Sequence, residues 1–248
     1  MSSTWCPQEI FEGEIENFVL VILNTKILSE NKVIDLWNKA KFKVTVDGGT
    51  NRWYKIASEN SEKIRNPNPD LITGDLDSID CKILEYYVKE SVGVIRTPDQ
   101  NYTDFTKALF EIFKLFPEST KILAFAEHSG RLDQIFGIFE TLFHVQGKNI
   151  FVVSSTSIEW LLGSGLHNIV LPKHLDFDKL HCGLIPLGLP CPGVKTSGFK
   201  WNLDGDTLLA FGQLVSTSNK FDKNSEKATV ETKQPLLLTI ELIAEGDL

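Results

Sequence analysis

Across the first 155 residues, short β-type runs alternate with amphipathic helical stretches, and this alternation constrains the fold more than any other feature. The runs are FVLVIL (18–23), KVTV (43–46), DLIT (70–73), GVIR (93–96), KILAFA (121–126) and NIFVVS (149–154). Between them, Ser29 is suited to cap a helix that carries Val33, Ile34 and Trp37 on one face. Asp80 is suited to cap a second, with Ile83, Leu84 and Tyr87 at helical spacing, and Thr103 a third, through Ala108, Leu109, Ile112 and Phe113. A fourth runs from Arg131 to Val145, with Ile135, Ile138, Phe139 and Leu142 inward. Such alternation predicts an α/β fold, a mostly parallel sheet with helices on both faces.

The texture changes near Ser155. Beyond it, Gly and Pro punctuate the β-rich runs HNIVL (167–171), CGLIPLG (182–188), LLAFGQLVS (208–216), ATVET (228–232) and LLLTIELI (236–243). Asp204-Gly205 is a hairpin signal before the LLAF run. This half reads as an antiparallel sandwich or barrel. Two domains are expected, 1–155 and 156–248, joined by a segment near 155–166.

The chain of 248 residues carries a net charge of −8. That balance argues against nucleic-acid binding by broad phosphate neutralisation. The start MSSTWCPQEIFEGE has no basic region followed by a long apolar one, and Phe18–Leu23 is too short to span a bilayer. A cytoplasmic protein without a membrane partner is expected. Cys6, Cys81, Cys182 and Cys191 form no C-x-x-C pair and read as free thiols, and His174 and His181 read as ordinary surface or core residues.

In an open α/β sheet, ligands bind outside the carboxyl ends of the strands. Four successive strand ends here carry carboxylates beside glycine or a turn residue: Asp47-Gly48-Gly49, Gly74-Asp75-Leu76-Asp77-Ser78, Pro98-Asp99-Gln100 through Thr103-Asp104, and Gly130-Arg131-Leu132-Asp133-Gln134. Crowded carboxylates repel, and a hard cation such as Mg²⁺, shared with substrate phosphates, relieves that repulsion. Asp75 and Asp77, at i and i+2, face one side of an extended segment. Arg131, at a helix start, is suited to hold a phosphate. Singly, each Asp also reads as a helix cap, Gly48-Gly49 as a tight turn, and Arg131 with Asp133 as a surface ion pair. Four such loops on one edge favour metal-assisted phosphoryl transfer. The Walker loop, the dinucleotide fingerprint, the G-x-S-x-G elbow and the H-E-x-x-H metal motif are all missing from the sequence.

Together these loops resemble the thiamine pyrophosphokinase family, and most of all its animal branch. The likeness continues through Cys182-Gly183-Leu184-Ile185-Pro186, Gly198-Phe199-Lys200-Trp201-Asn202-Leu203 and Leu214-Val215-Ser216-Thr217-Ser218-Asn219. It implies an α/β nucleotide-binding domain followed by a β-sandwich that binds thiamine. It also implies a homodimer whose active site lies at the subunit interface. Asp75, Asp77 and Asp104 would hold Mg²⁺ and the ATP phosphates, and Asp133 would join them as a catalytic residue. Asp47, Gly48, Asn51, Gln100, Thr103, Arg131 and Gln134 would make nucleotide and thiamine contacts. Trp201 would stack on thiamine, and Ser216 and Ser218 would hydrogen-bond its pyrimidine. Without the resemblance, Trp201 reads as a core anchor.

The implied reaction is pyrophosphoryl transfer from ATP to the thiamine hydroxyl, giving thiamine diphosphate and AMP. Either Asp104 or Asp75 would orient the hydroxyl. Two positions depart from the family pattern: Asn101 stands where an acid is common, and Ala126-Glu127-His128-Ser129 where Gly-Gly is common. The alternatives are a thiamine-binding sensor of weak activity and another Mg²⁺-dependent phosphotransferase on the same scaffold.

Overall fold

A computed structural model describes residues 2–117, 119–173, 177 and 179–242. The chain divides into two compact units, one of residues 16–155 and the other joining residues 1–15 to those after 155. Strand β1 (Ser2–Trp5) and the short helix α1 (Gln8–Phe11) open the chain.

The α/β unit then alternates as expected. It runs β2 (Phe18–Ile22), α2 (Glu30–Lys39), β3 (Phe42–Val46), α3 (Gly49–Glu59), β4 (Leu71–Gly74) and α4 (Cys81–Lys89). It continues with β5 (Gly93–Arg96), α5 (Asp104–Leu115), β6 (Lys121–Phe125), α6 (Leu132–His144) and β7 (Ile150–Val153). The strand order is β7-β6-β2-β3-β4-β5, and all five pairings are parallel. β2 and β6 carry near-continuous apolar runs, as strands covered on both faces must. Order reverses between β2 and β6, so the switch point falls there. Helix α2 buries Val33, Ile34 and Trp37, and the Trp37 ring stacks on Trp53 of α3 at 3.6 Å. Asp80 and Thr103 cap α4 and α5 with side-chain hydrogen bonds, whereas Ser29 makes none at α2. Helix α3 was not foreseen, because its Gly-Gly start reads as a turn.

The β-rich unit continues with β8 (Ser157–Leu162), β9 (Gly165–Val170), β10 (His181–Ile185), β11 (Lys195–Ser197), β12 (Ser216–Lys220), β13 (Lys227–Thr232) and β14 (Leu236–Glu241). One sheet has the order β1-β9-β13-β11, and a second set of strands the order β12-β10-β14-β8. Among the described strands of this unit the pairings are antiparallel except that of β1 with β9. Trp5 of β1 and Trp160 of β8 approach ring to ring at 5.9 Å between the layers.

Three sequence expectations need correction. Residues 1–15 belong to the β-rich unit and not to a 1–155 domain, because β1 hydrogen-bonds to β9. The segment 155–166 is no linker, since SIEWLL forms β8 and pairs along its length with β14. The run 208–215 is not a strand: it holds isolated bridges at Leu209 and Leu214 around a turn, and Phe211 is 65% exposed. All four cysteines are free, with Cys182 and Cys191 buried. His181 pairs with Glu241, and His174 lies outside the described residues.

Candidate active site

The carboxyl ends of β3, β4 and β5 converge on one polar network. Asp47, directly after β3, is buried and has φ +46°. Its amide donates to the Thr73 carbonyl at 2.8 Å, and its Oδ1 accepts the Ser78 amide at 3.1 Å. Gly74 makes this closeness possible: its φ is +142°, and an added Cβ would come within 2.9 Å of the Asp47 Cβ. Asn51, on α3, bridges the same loop by donating to the Ser78 carbonyl and accepting the Asp80 amide.

Asp75 and Asp77 follow β4. The Asp75 carboxylate accepts the Asp77 amide at 3.3 Å and Gln100 Nε2 at 3.2 Å. Burial works to raise the Asp75 pKa, but these hydrogen bonds and the Lys107 charge outweigh it and hold the carboxyl below its ordinary value. Asp77 Oδ1 accepts the Ser78 hydroxyl at 2.8 Å. Among the described residues, oxygens of Asp47, Asp75 and Asp77 lie within 4.8 Å of one another. Three convergent carboxylate oxygens with exposed flanks fit a hard divalent cation that keeps waters and takes phosphate oxygens.

Asp104 stands beside this group rather than in it. Its Oδ1 accepts the Asp75 amide at 3.2 Å and pairs with the Lys107 ammonium at 2.8 Å. Lys107 is buried and also donates to the Thr97 carbonyl at 2.8 Å. The clustered set thus contains Asp47 where the sequence reading had Asp104. Lys107 itself was missed, although its position three residues after Asp104 on one helix was a readable signal.

Thr103 caps α5 and joins Thr106 and Thr141 in a hydroxyl triangle with edges of 2.8–2.9 Å, which ties α5 to α6. Arg131 and Asp133 pair at the start of α6 through Arg131 Nε and Nη2. The arginine's hydrogen bond holds the Asp133 carboxyl below its ordinary range. Both side chains are exposed, as is Gln134. Gly48 lies against Asn24, whose amide leaves no room for a Cβ there.

The β-rich unit carries the remaining candidates. Trp201 is 56% exposed, so it is no core anchor. Its backbone is pinned, because Asn219 of β12 accepts the Trp201 amide and donates to its carbonyl. The Lys200 ammonium lies 4.9 Å from the Trp201 ring centre. Ser216 and Ser218 lie on β12, the latter at φ +57°. Ser218 lines a cleft of about 400 Å³ with Thr217, Thr239, His181 and Glu241.

A family model described as the thiamin pyrophosphokinase catalytic domain matches residues 33–154, and one described as the thiamin pyrophosphokinase vitamin B1 binding domain matches residues 166–237. Thiamine pyrophosphokinase 1 of Arabidopsis thaliana is 35% identical over 241 residues, covering 92% of this chain and 88% of that protein. Thiamin pyrophosphokinase 1 of Caenorhabditis elegans is 28% identical over 248 residues, covering 98% and 96%. The solved thiamin pyrophosphokinase from Candida albicans superposes with a TM-score of 0.82 at 24% identity, over 98% of this chain and 93% of that one.

Proposed function

The chain belongs to the thiamin pyrophosphokinase family, and from that premise we propose how its residues share the work. The protein transfers a pyrophosphoryl group from ATP to the hydroxyl of thiamine, giving thiamine diphosphate and AMP. Its α/β unit takes the nucleotide and its β-rich unit takes thiamine.

The observation that carries the assignment of roles is the meeting of Asp47, Asp75 and Asp77 at the carboxyl edge of the sheet. These three would hold Mg²⁺. When bound, that ion offsets negative charge on the phosphate oxygens. Gln100 and the Asp77 amide fix the Asp75 carboxylate. Lys107 pairs with Asp104 and holds its carboxylate toward the end of β4. Arg131 draws phosphate oxygens once Asp133 yields its fork. The thiamine hydroxyl attacks the β-phosphorus, the bond to the α-phosphate oxygen breaks, and AMP leaves. Asp75 or Asp104 accepts the hydroxyl proton. Most of the acceleration then comes from alignment and charge placement, with no covalent intermediate.

Trp201 lays its exposed face on the cationic heterocycle, in place of the Lys200 ammonium that lies over it. Ser216 and Ser218 bond the pyrimidine. The working form is a homodimer whose site is completed at the subunit interface. No helix among the described residues is long and apolar enough to cross a membrane, and the cytoplasm is the compartment we assign.

A product assay tests this reading. Purified protein with ATP, Mg²⁺ and thiamine should release AMP and thiamine diphosphate in equal amounts. ADP with thiamine monophosphate would overturn the choice of phosphorus. Thiamine binding without turnover would mark a sensor.

A further inference from the structure

Glu127 follows β6 at the same edge of the sheet, and its carboxylate is buried at 2% exposure. A buried carboxylate is costly unless donors surround it. Glu127 has donors from two other segments. Oε1 accepts the Leu28 amide at 3.4 Å and the Ser155 amide at 3.1 Å, and Oε2 accepts the Ser155 hydroxyl at 2.7 Å. The Glu127 amide donates to Thr25 Oγ1 at 2.9 Å. Thr25 and Leu28 lie in the loop after β2, and Ser155 follows β7. β6 lies between β2 and β7, so one side chain clasps the ends of three adjacent strands, at the switch point of the sheet.

The clasped loop continues toward the carboxylate cluster. Asn24, next to Thr25, packs on Gly48, and a Cβ on Gly49 would lie 2.5 Å from the Ile22 carbonyl. Asp47-Gly48-Gly49 therefore rests on the segment that Glu127 holds. We propose that Glu127 is a positioning residue: through the β2–α2 loop and Asn24 it fixes the attitude of Asp47 and the glycines after it. The proposal rests on reading this edge as the Mg²⁺–ATP site. Glu127 itself touches no substrate.

The isosteric amide keeps most of the network: its oxygen accepts both amides and its NH₂ donates to the Ser155 oxygen, and only the 3.2 Å contact of the Ser155 amide with the second oxygen is lost. Glu127→Ala should raise the KM for Mg²⁺–ATP about tenfold and leave the KM for thiamine within about twofold, while Glu127→Gln stays near wild type on both. Hydrogen exchange should quicken over 23–29 and 47–52 in the alanine variant alone. Equal changes in both KM values, no change in either, unaltered exchange over 47–52, or a glutamine variant as impaired as the alanine one would each overturn the proposal. If Glu127→Ala fails to fold, Thr25→Val decides. It should raise the Mg²⁺–ATP KM alone by about threefold with faster exchange over 47–52, and wild-type values would overturn the clasp. Absence of turnover in the wild type would be a failure of the site reading. The exchange measurement needs no turnover and still decides whether Glu127 fixes Asp47.

Discussion

The carboxyl edge of the α/β unit and the Trp201 surface of the β-rich unit hold their functional groups by opposite means. At the edge, Asp47, Asp75, Asp77 and Asp104 each engage backbone or side-chain partners, and Asp47 and Lys107 are buried. At the other surface, a backbone clamp from Asn219 fixes the position of Trp201, while the residue stands more than half exposed with the Lys200 ammonium over its ring. The lesson is one of preorganisation. On the proposed reading, charges that act on phosphate are held before substrate arrives, because reorganising them during reaction would cost rate. A flat ring proposed to stack on a cationic heterocycle needs only a fixed anchor and an open face.

The sharpest way to break this comparison is to neutralise the edge. Asp75→Asn or Asp77→Asn should lower kcat by about a thousandfold with an unchanged circular dichroism spectrum, and turnover within threefold of wild type would remove the cation assignment. In the same series Asp47→Asn should raise the Mg²⁺ concentration for half-activity more than Asp104→Asn does. The reverse order would return Asp104 to the ligand set. Lys107→Met should come next. It strands the Asp104 carboxylate, which is 30% exposed, and should lower stability by about 2 kcal/mol in urea titration, less than a fully buried pair would lose. Trp201→Ala should raise the thiamine KM about tenfold, leave that for Mg²⁺–ATP within twofold, and leave Tm unchanged because the ring is not packed in a core. Equal shifts in both constants would count against an open stacking face.

The smallest expected effect separates the units by acid. His167 accepts the Trp5 indole N–H, and burial lowers its pKa below the ordinary 6.5. A neutral histidine with a depressed folded pKa contributes stability above pH 6.5, which is lost as pH falls through the folded value. Asp75, held below 3.8, keeps its contribution until far more acid conditions. Between these limits, exchange should quicken at β1 and β9 before it does at β3 and β4, and His167→Gln should flatten the first response.

Much of this was legible in the residues. The alternation from Phe18 to Val153 gave away the parallel sheet, because each β run and each helical face repeats its own period. The four carboxylate loops were legible for the same reason: they follow strands, and strands in one parallel sheet end on one edge. What failed depended on partners distant in the chain. SIEWLL reads as a connector until Leu236–Glu241 arrives beside it. LLAFGQLVS has the composition of a strand, but Leu208, Phe211 and Leu214 face solvent and find no sheet to join. The choice between Asp47 and Asp104 turned on the left-handed backbone at Asp47 and a lysine one helical turn away, neither of which a strand-end count reveals. Glu127 read as a departure from Gly-Gly because its donors, Leu28 and Ser155, flank it only once β2, β6 and β7 are side by side.

The pairing of β1 with β9 bears on how the chain is made. Ser2 lies opposite Leu166, and the whole of the α/β unit is threaded between the two strands. During synthesis β1 leaves the ribosome long before β9 exists, whereas residues 16–155 emerge as one uninterrupted stretch that carries all five parallel pairings of β2 to β7. The α/β unit can therefore fold while the chain is still growing. The β-rich unit closes only once β9 has emerged, because β1 finds its partner there.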